Sequence, residues 1–401
     1  NRNYGYEWGI DNQGSSPNTG SETYRGLSAF SEQETRAVAW LSEQHQFTLA
    51  LNYHAYGNYL IYPWGTGTVL TPDSNTFIAL ATEMTRVNNY VFGTGVQTVG
   101  YNVNGDSDDW MYGEQTTKNK ILSMTPEVGK QDDGFWPLTS RITPLSQENL
   151  LPNMLLAHFS GDYATIASLE SQFIEDLTGN VNFSATRLGL EFNGPYSFSI
   201  EPISSNISNV GAAVDLNAMV IAEANPVSVS YELDPLIIEG EDVVYDLVAT
   251  FNGFSVKQRV TRVFGSATAI TQNDGDISAF VSGSDWNETT EDFVSPSTSI
   301  TDSPFGISPN NMMNDLELEL AVDLENSTLA QLQFQGKWFI EAGWDYAQIL
   351  ASPVGEENWS PLCGKYSVEG NSFQDQGQPL WDGFQSNWVM EEVSLNDYLG
   401  Q

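Results

Sequence analysis

The hydrophobic period of this chain changes once, near Gly161, and that change constrains what each part can fold into. Before it, segments with apolar residues at helical spacing alternate with short apolar runs; after it, single apolar and polar residues alternate, as along a half-buried strand. Residues 31–45 read as a helix, with Ser31 and Glu34 spaced as a capping box ahead of Val38 and Leu41. Residues 74–91 read as a second helix through Phe77, Ile78, Leu80, Ala81, Met84 and Val87, and residues 145–160 as a third. Strands alternating with helices predict an α/β part.

Beyond Gly161, residues 165–177 read as a short linking helix. Strands then follow at regular spacing over 192–203, 218–222, 227–231, 243–251 and 255–263, which predicts an antiparallel β-sandwich. From about Gly265 the chain is again β-rich but carries larger aromatics, among them Trp286, Trp338, Phe339, Trp344, Tyr346, Trp359, Trp381 and Trp388. The predicted architecture is an α/β part, a mixed sheet with helices, over residues 1–162, a linking helix over 163–179, and two all-β domains. These are a sandwich over 180–263 and a jelly-roll-like domain over 264–401.

The 401 residues are 40% hydrophobic, enough for two or three domains with real cores. Acidic residues number 52 against 14 basic ones, a formal charge of −38. That balance argues against nucleic acid as a partner, because phosphate neutralisation needs a basic face, and against anionic membrane surfaces. No apolar run reaches the length needed to span a bilayer. Cys363 is the single cysteine, so no intrachain disulfide forms.

Two polar groups end apolar runs. His54 follows the run from Phe47 to Tyr53, and Glu127 follows the run from Ile121 to Pro126. Two buried strands would thus deliver an imidazole and a carboxylate to one sheet edge, where open α/β sheets carry their sites. Taken singly, a lone His is more often a satisfied core residue and a strand-end Glu a surface carboxylate. Neither a Gly-x-Ser-x-Gly elbow nor a Cys-His pairing is present, which disfavours nucleophilic catalysis.

The stretches Asn1-Arg2-Asn3-Tyr4-Gly5-Tyr6-Glu7-Trp8-Gly9, Asn52-Tyr53-His54-Ala55-Tyr56-Gly57 with Tyr62-Pro63-Trp64-Gly65, and Thr125-Pro126-Glu127-Val128-Gly129 resemble the zinc metallocarboxypeptidase family, over roughly the second half of its catalytic domain. The resemblance implies that His54 ligates zinc and that Glu127 takes a proton from water and returns it to the leaving amine. It implies that Asn1 and Arg2 bind the free α-carboxylate of a peptide or protein substrate, that Tyr101 closes over that terminus, and that Asp108 lies at the floor of the pocket for the last side chain, favouring Lys or Arg. Asp109, next to it, is also acidic, and the loop from Gly113 to Lys120 is longer than in the digestive enzymes. The family's remaining ligands, a His and a Glu in an HxxE spacing, have no match: His45, His54 and His158 are followed at the third position by Thr48, Gly57 and Gly161. A catalytic zinc needs three protein ligands. The chain is therefore expected to be a fragment, inactive alone, of a secreted carboxypeptidase whose other ligands lie upstream.

The stretches 299–304, 338–345 and 359–362 resemble jelly-roll accessory domains of secreted immune-inhibitor-type metallopeptidases. Acidic residues beside turns there make Asp302, Glu341 and Asp345 candidate calcium ligands. Two other functions compete with the enzyme: a non-catalytic relative that binds peptide or glycan termini, and a secreted adhesion or docking module.

Overall fold

The computed structural model describes residues 2–192, 194–282, 285–295, 297–304, 306, 312–341, 343–356, 358–371 and 373–401. The chain divides into two compact units, residues 1–266 and 267–401.

Unit 1 begins with a four-stranded mixed sheet. Its strands are β1 (Leu49–Leu51), β2 (Tyr59–Ile61), β3 (Val91–Gly93) and β4 (Leu122–Glu127), in the spatial order β1-β4-β2-β3. Six helices accompany it: α1 (Gln33–Gln44), α2 (Ser74–Thr85), α3 (Gly95–Thr98), α4 (Ser107–Gly113), α5 (Ile142–Glu148) and α6 (Leu150–Phe159). Leu49, Leu122 and Met124 turn one face of the sheet into a core shared with Phe77, Leu80 and Met84 of α2 and with Leu155 and Phe159 of α6.

The helices expected from periodicity are present with altered ends. The capping box on α1 does not form, because Ser31 Oγ accepts from Asn3 Nδ2 and donates to Glu32 Oε1, and Glu32 holds the cap position without a side-chain bond to the helix backbone. The second helix stops at Thr85, six residues short, where Asn89 takes a left-handed φ of 53° and turns the chain into β3. The third expected helix is two: Asn149 separates α5 from α6, and Pro152 follows in the first turn of α6, where its missing N–H costs nothing.

Nine strands follow: β5 (Ala164–Ser168), β6 (Phe173–Ile174), β7 (Thr178–Arg187), β8 (Tyr196–Pro202), β9 (Ile207–Val210), β10 (Val214–Leu216), β11 (Ala224–Leu233), β12 (Asp242–Phe251) and β13 (Phe254–Phe264). They form a five-stranded sheet, β10-β8-β12-β13-β6, and a four-stranded one, β5-β7-β11-β9. The linking helix is corrected here: Ala164–Ser168 is a strand, antiparallel to β7. The run Ala-Thr-Ile-Ala carries helical and strand propensities alike, and pairing with β7 decides it. Val181, Phe183, Val227 and Val229 from one sheet and Phe198, Ile200, Tyr245 and Leu247 from the other meet in the core that also holds Phe159 and Leu155.

In unit 2 the described strands pair two by two. The longest pairing joins Gln331–Ile340 to Gly383–Ser394, with a register shift between Gly336 and Trp338. Leu362, Trp381 and Val393 form its small core. The two larger facing sheets of a jelly roll are not present among the described residues.

Candidate active site

The parallel register of β1 and β4 sets Leu49 against Leu122 and Leu51 against Met124. The pairing continues past the end of β1: His54 N donates to Pro126 O at 2.9 Å and Val128 N to His54 O at 2.9 Å, which leaves His54 directly opposite Glu127. Side chains alternate along a strand. With the leucines turned into the core, Asn52 and His54 share the opposite face with Ser123, Thr125 and Glu127.

Helix α4 packs on that face and brings Asp108 to it. Asp106 caps the helix, its carboxylate accepting from Asp109 N at 2.9 Å. Asp108 is only 6% exposed. Its Oδ1 accepts from Asn52 Nδ2 at 2.7 Å and from Ser123 Oγ at 2.6 Å, and its Oδ2 accepts from Thr125 Oγ1 at 2.6 Å. Asp109 points elsewhere, taking Gly65 N on both oxygens at 2.9 and 3.0 Å. The adjacent acids thus have separate roles: Asp109 holds the turn at Gly65, and Asp108 stands under His54 and Glu127.

The charges follow from that placement. Burial, and then the nearby Asp108, push the Glu127 carboxyl up to about 7, with Arg2 opposing. Burial pulls the His54 imidazole down, with Asp108 opposing. Burial pushes Asp108 up against the three donors that favour its charge; Asp106 rises through burial and the field of Asp108, and Asp109 through burial and the field of Asp106.

Arg2 is held at the site by its neighbour. Asn3 is buried, donating to Arg25 O, Ser28 O and Ser31 Oγ and accepting from Glu32 N and Thr35 Oγ1. Tyr4 N bonds Gly105 O, and Gly105 has a φ of +68° with room for no side chain, since a Cβ there would stand 2.9 Å from Arg2 O. Arg2 Nε donates to Gly14 O at 3.0 Å. Tyr101 lies in the loop before Gly105, its ring 54% exposed. Asn1 lies outside the described residues.

His54, Glu127 and Asp108 are therefore brought together, and the charge of Arg2 reaches Glu127. Asn3, Asn52, Ser123 and Thr125 were not singled out by sequence reasoning. The last three were legible from strand parity, since Asn52 stands two residues before His54, and Ser123 and Thr125 stand four and two before Glu127. Among the described residues no group of three or more His, Cys, Asp or Glu is placed to hold a metal ion. One imidazole does not complete a zinc donor set, so these residues by themselves do not fit the metal. The calcium reading finds no support: Asp302 follows a two-stranded pairing that ends at Thr301, Glu341 and Asp345 flank a turn, and among the described residues the three form no common ligand group.

Residues 1–152 match the family model described as zinc carboxypeptidase. Zinc carboxypeptidase A 1 of Drosophila melanogaster is 32% identical over 158 residues, which are 37% of this chain and 36% of that protein. Inactive metallocarboxypeptidase ecm14 of Talaromyces marneffei is 31% identical over 186 residues, 39% of this chain and 30% of that protein. Among solved structures, thrombin-activatable fibrinolysis inhibitor is 27% identical, covering 39% of this chain and 40% of its own, at a TM-score of 0.35, too low to argue from. The chain thus spans about a third of the length of these curated relatives. No helix among the described residues is long and apolar enough to cross a membrane. With the motifs gathered on one sheet face, the first 152 residues of this chain are similar to a segment of the zinc carboxypeptidase family.

Proposed function

We propose that this chain carries the proton-transferring and terminus-recognising part of a secreted zinc carboxypeptidase, which removes the last residue of peptides and proteins, and that polypeptide outside these 401 residues supplies the remaining metal ligands. The observation that carries the reading is the opposition of His54 and Glu127 across one parallel register, with Asp108 beneath them. A carboxyl brought up to about 7 is matched to taking a proton from water and giving it to an amine near neutral pH. Arg2, with Asn1, is suited to the α-carboxylate, because a guanidinium fork pairs bidentately with it. Tyr101, exposed in the loop before Gly105, is suited to cover a bound terminus. The preference for C-terminal Lys or Arg at Asp108 rests on the family resemblance, since its carboxylate is buried on three internal donors. The two sheets of residues 164–264 act as a sandwich module fixed to this part.

A second reading is favoured by the incomplete donor set: a non-catalytic relative that binds peptide termini without cutting, as the name of the ecm14 relative allows for that protein. Calorimetry on the chain with a peptide ending in a free Lys carboxylate and with its C-terminal amide tests the shared core of both readings. The free acid should bind at least about ten-fold more tightly, and Asp108→Ala should lower affinity for the Lys-ending peptide about 10 to 100-fold while changing a Leu-ending one little. Equal binding of acid and amide would overturn terminus recognition. Chelator-sensitive release of C-terminal residues by the chain alone would overturn the need for further ligands.

A further inference from the structure

Unit 2 carries 22 acidic and 2 basic residues between Ala267 and Gln401. Both of its cations lie on aromatic rings. Lys337 Nζ stands 5.3 Å from the centroid of Trp388, whose Nε1 donates to Asp292 at 3.1 Å, and Lys337 also pairs with Asp292. Lys365 Nζ stands 5.6 Å from the ring of Tyr366. A ring face with a carboxylate beside it is an electrostatic seat for an ammonium or guanidinium group.

A further aromatic pair of this unit has no cation of the chain on it among the described residues. Trp344 and Phe373 stack with centroids 4.6 Å apart and planes 29° apart, yet they remain 51% and 53% exposed. Their loops are tied by a polar net rather than by burial. Asp382 Oδ2 accepts from Gly343 N at 2.8 Å and from Gln374 Nε2 at 2.9 Å; Gln374 Nε2 also donates to Asp345 O, and Asn371 Nδ2 to Gly343 O. The pair is thus fixed in place before any ligand arrives, which lowers the ordering cost of binding. Glu341 and Asp345, both exposed, flank Trp344 in sequence, and Asp345 N and Trp344 N turn back onto Glu341 O.

We propose that the Trp344–Phe373 pair is a binding site for cationic side chains of a basic polypeptide, with a Lys or Arg head group over the rings and the carboxylates of Asp345 and Glu341 beside it. A domain of this charge repels anionic partners, and it repeats with an outside cation what Trp388 and Asp292 do with Lys337.

The test uses the full chain and a fluorescein-labelled peptide of alternating Lys and Gly, amidated at its C-terminus so that a terminus-binding site does not take it. Polarisation is read at about 0.15 M salt, where attraction beyond roughly 8 Å is largely screened. The chain should bind, and Trp344→Leu and Phe373→Leu, which keep apolar bulk and net charge, should each weaken binding about ten-fold. Asp345→Asn should weaken it several-fold. Thermal melting of each variant checks folding, and Asp345→Asn, on an exposed side chain, provides a readout independent of the ring packing. Unchanged affinity in both Leu variants would reduce the binding to diffuse charge and overturn the site. Binding of a neutral oligosaccharide but not of the peptide would overturn it in favour of a sugar platform.

Discussion

Ser123 Oγ, inside β4, donates a 2.6 Å hydrogen bond to Oδ1 of Asp108 on α4, and this bond locks the helix onto the sheet face that carries Glu127. Three donors for one buried carboxylate are what a low-dielectric site demands, since a buried charge without them would cost several kcal/mol.

Ser123→Ala leaves one lone-pair direction of Asp108 unsatisfied in a buried place. Stability should fall by about 1 to 3 kcal/mol, read from urea denaturation with an unchanged m-value. A loss under about 0.5 kcal/mol would mean that water replaces the hydroxyl, and that Asp108 is wetter than its 6% exposure indicates.

The raised Glu127 carboxyl has a defined effect on stability. The native form holds its proton to about 7, whereas the unfolded chain releases it near the ordinary value of 4.5. Native protein thus binds more protons between those values, and the contribution of this group to stability falls as pH rises from about 4.5 to about 7. Glu127→Gln should therefore gain stability relative to the wild type as pH rises through that window, as melting temperatures at stepped pH would show. A difference independent of pH would place the Glu127 ionisation in the ordinary range.

Arg141 grips Asp133 with two bonds, Nε at 2.7 Å and Nη2 at 3.0 Å, and so closes the loop that leaves β4. The pairing holds the Asp133 carboxyl below its usual range, chiefly through the Arg141 hydrogen bond. Arg141→Ala should lower stability by about 1 kcal/mol near neutral pH, discounted because the guanidinium is partly exposed. The deficit should shrink as pH falls through the carboxylate range, where the pair is lost in both proteins. Limited proteolysis between residues 130 and 141 should become faster in the variant.

How much of this was legible beforehand differs by element. His54 and Glu127 were readable because each ends an apolar run, and the run fixes both strand and face. Asp108 was reached through resemblance, and nothing local distinguished it from Asp109; the choice between them is made by Ser123 and Thr125, 15 and 17 residues away in sequence. The strand Ala164–Ser168 was misread because helical and strand periods are indistinguishable over five residues, and only its pairing with β7 separates them. The pairwise strands of unit 2 were hidden for a related reason: its aromatics signal burial or exposed surface equally well, and Trp344 with Phe373 stack while about half exposed.

Gly189 approaches backbone so closely that a Cβ there would stand 2.3 Å from Tyr163 N and 2.4 Å from Gly161 O. Gly189→Ala should therefore destabilise unit 1 by about 1 to 3 kcal/mol or more, since neither neighbour is a side chain able to swing away. Calorimetry would register it; a shift under about 1 °C would mean that the two backbones separate freely.

The same junction has a bearing on how the chain is inherited and cut. Leu188 N and Gly189 N donate to Tyr163 O, Leu190 N donates to Phe159 O, and Tyr163 N donates to Tyr196 OH, so α6 and the sheets after it are sewn together residue by residue. The match to the family model ends at residue 152, inside α6, and three residues beyond Pro152 the helix turns Leu155, and then Phe159, into the common core. The matched stretch and the packed core therefore do not coincide: a cut at residue 152 would expose the apolar face that Leu155 and Phe159 share with the sheets that follow.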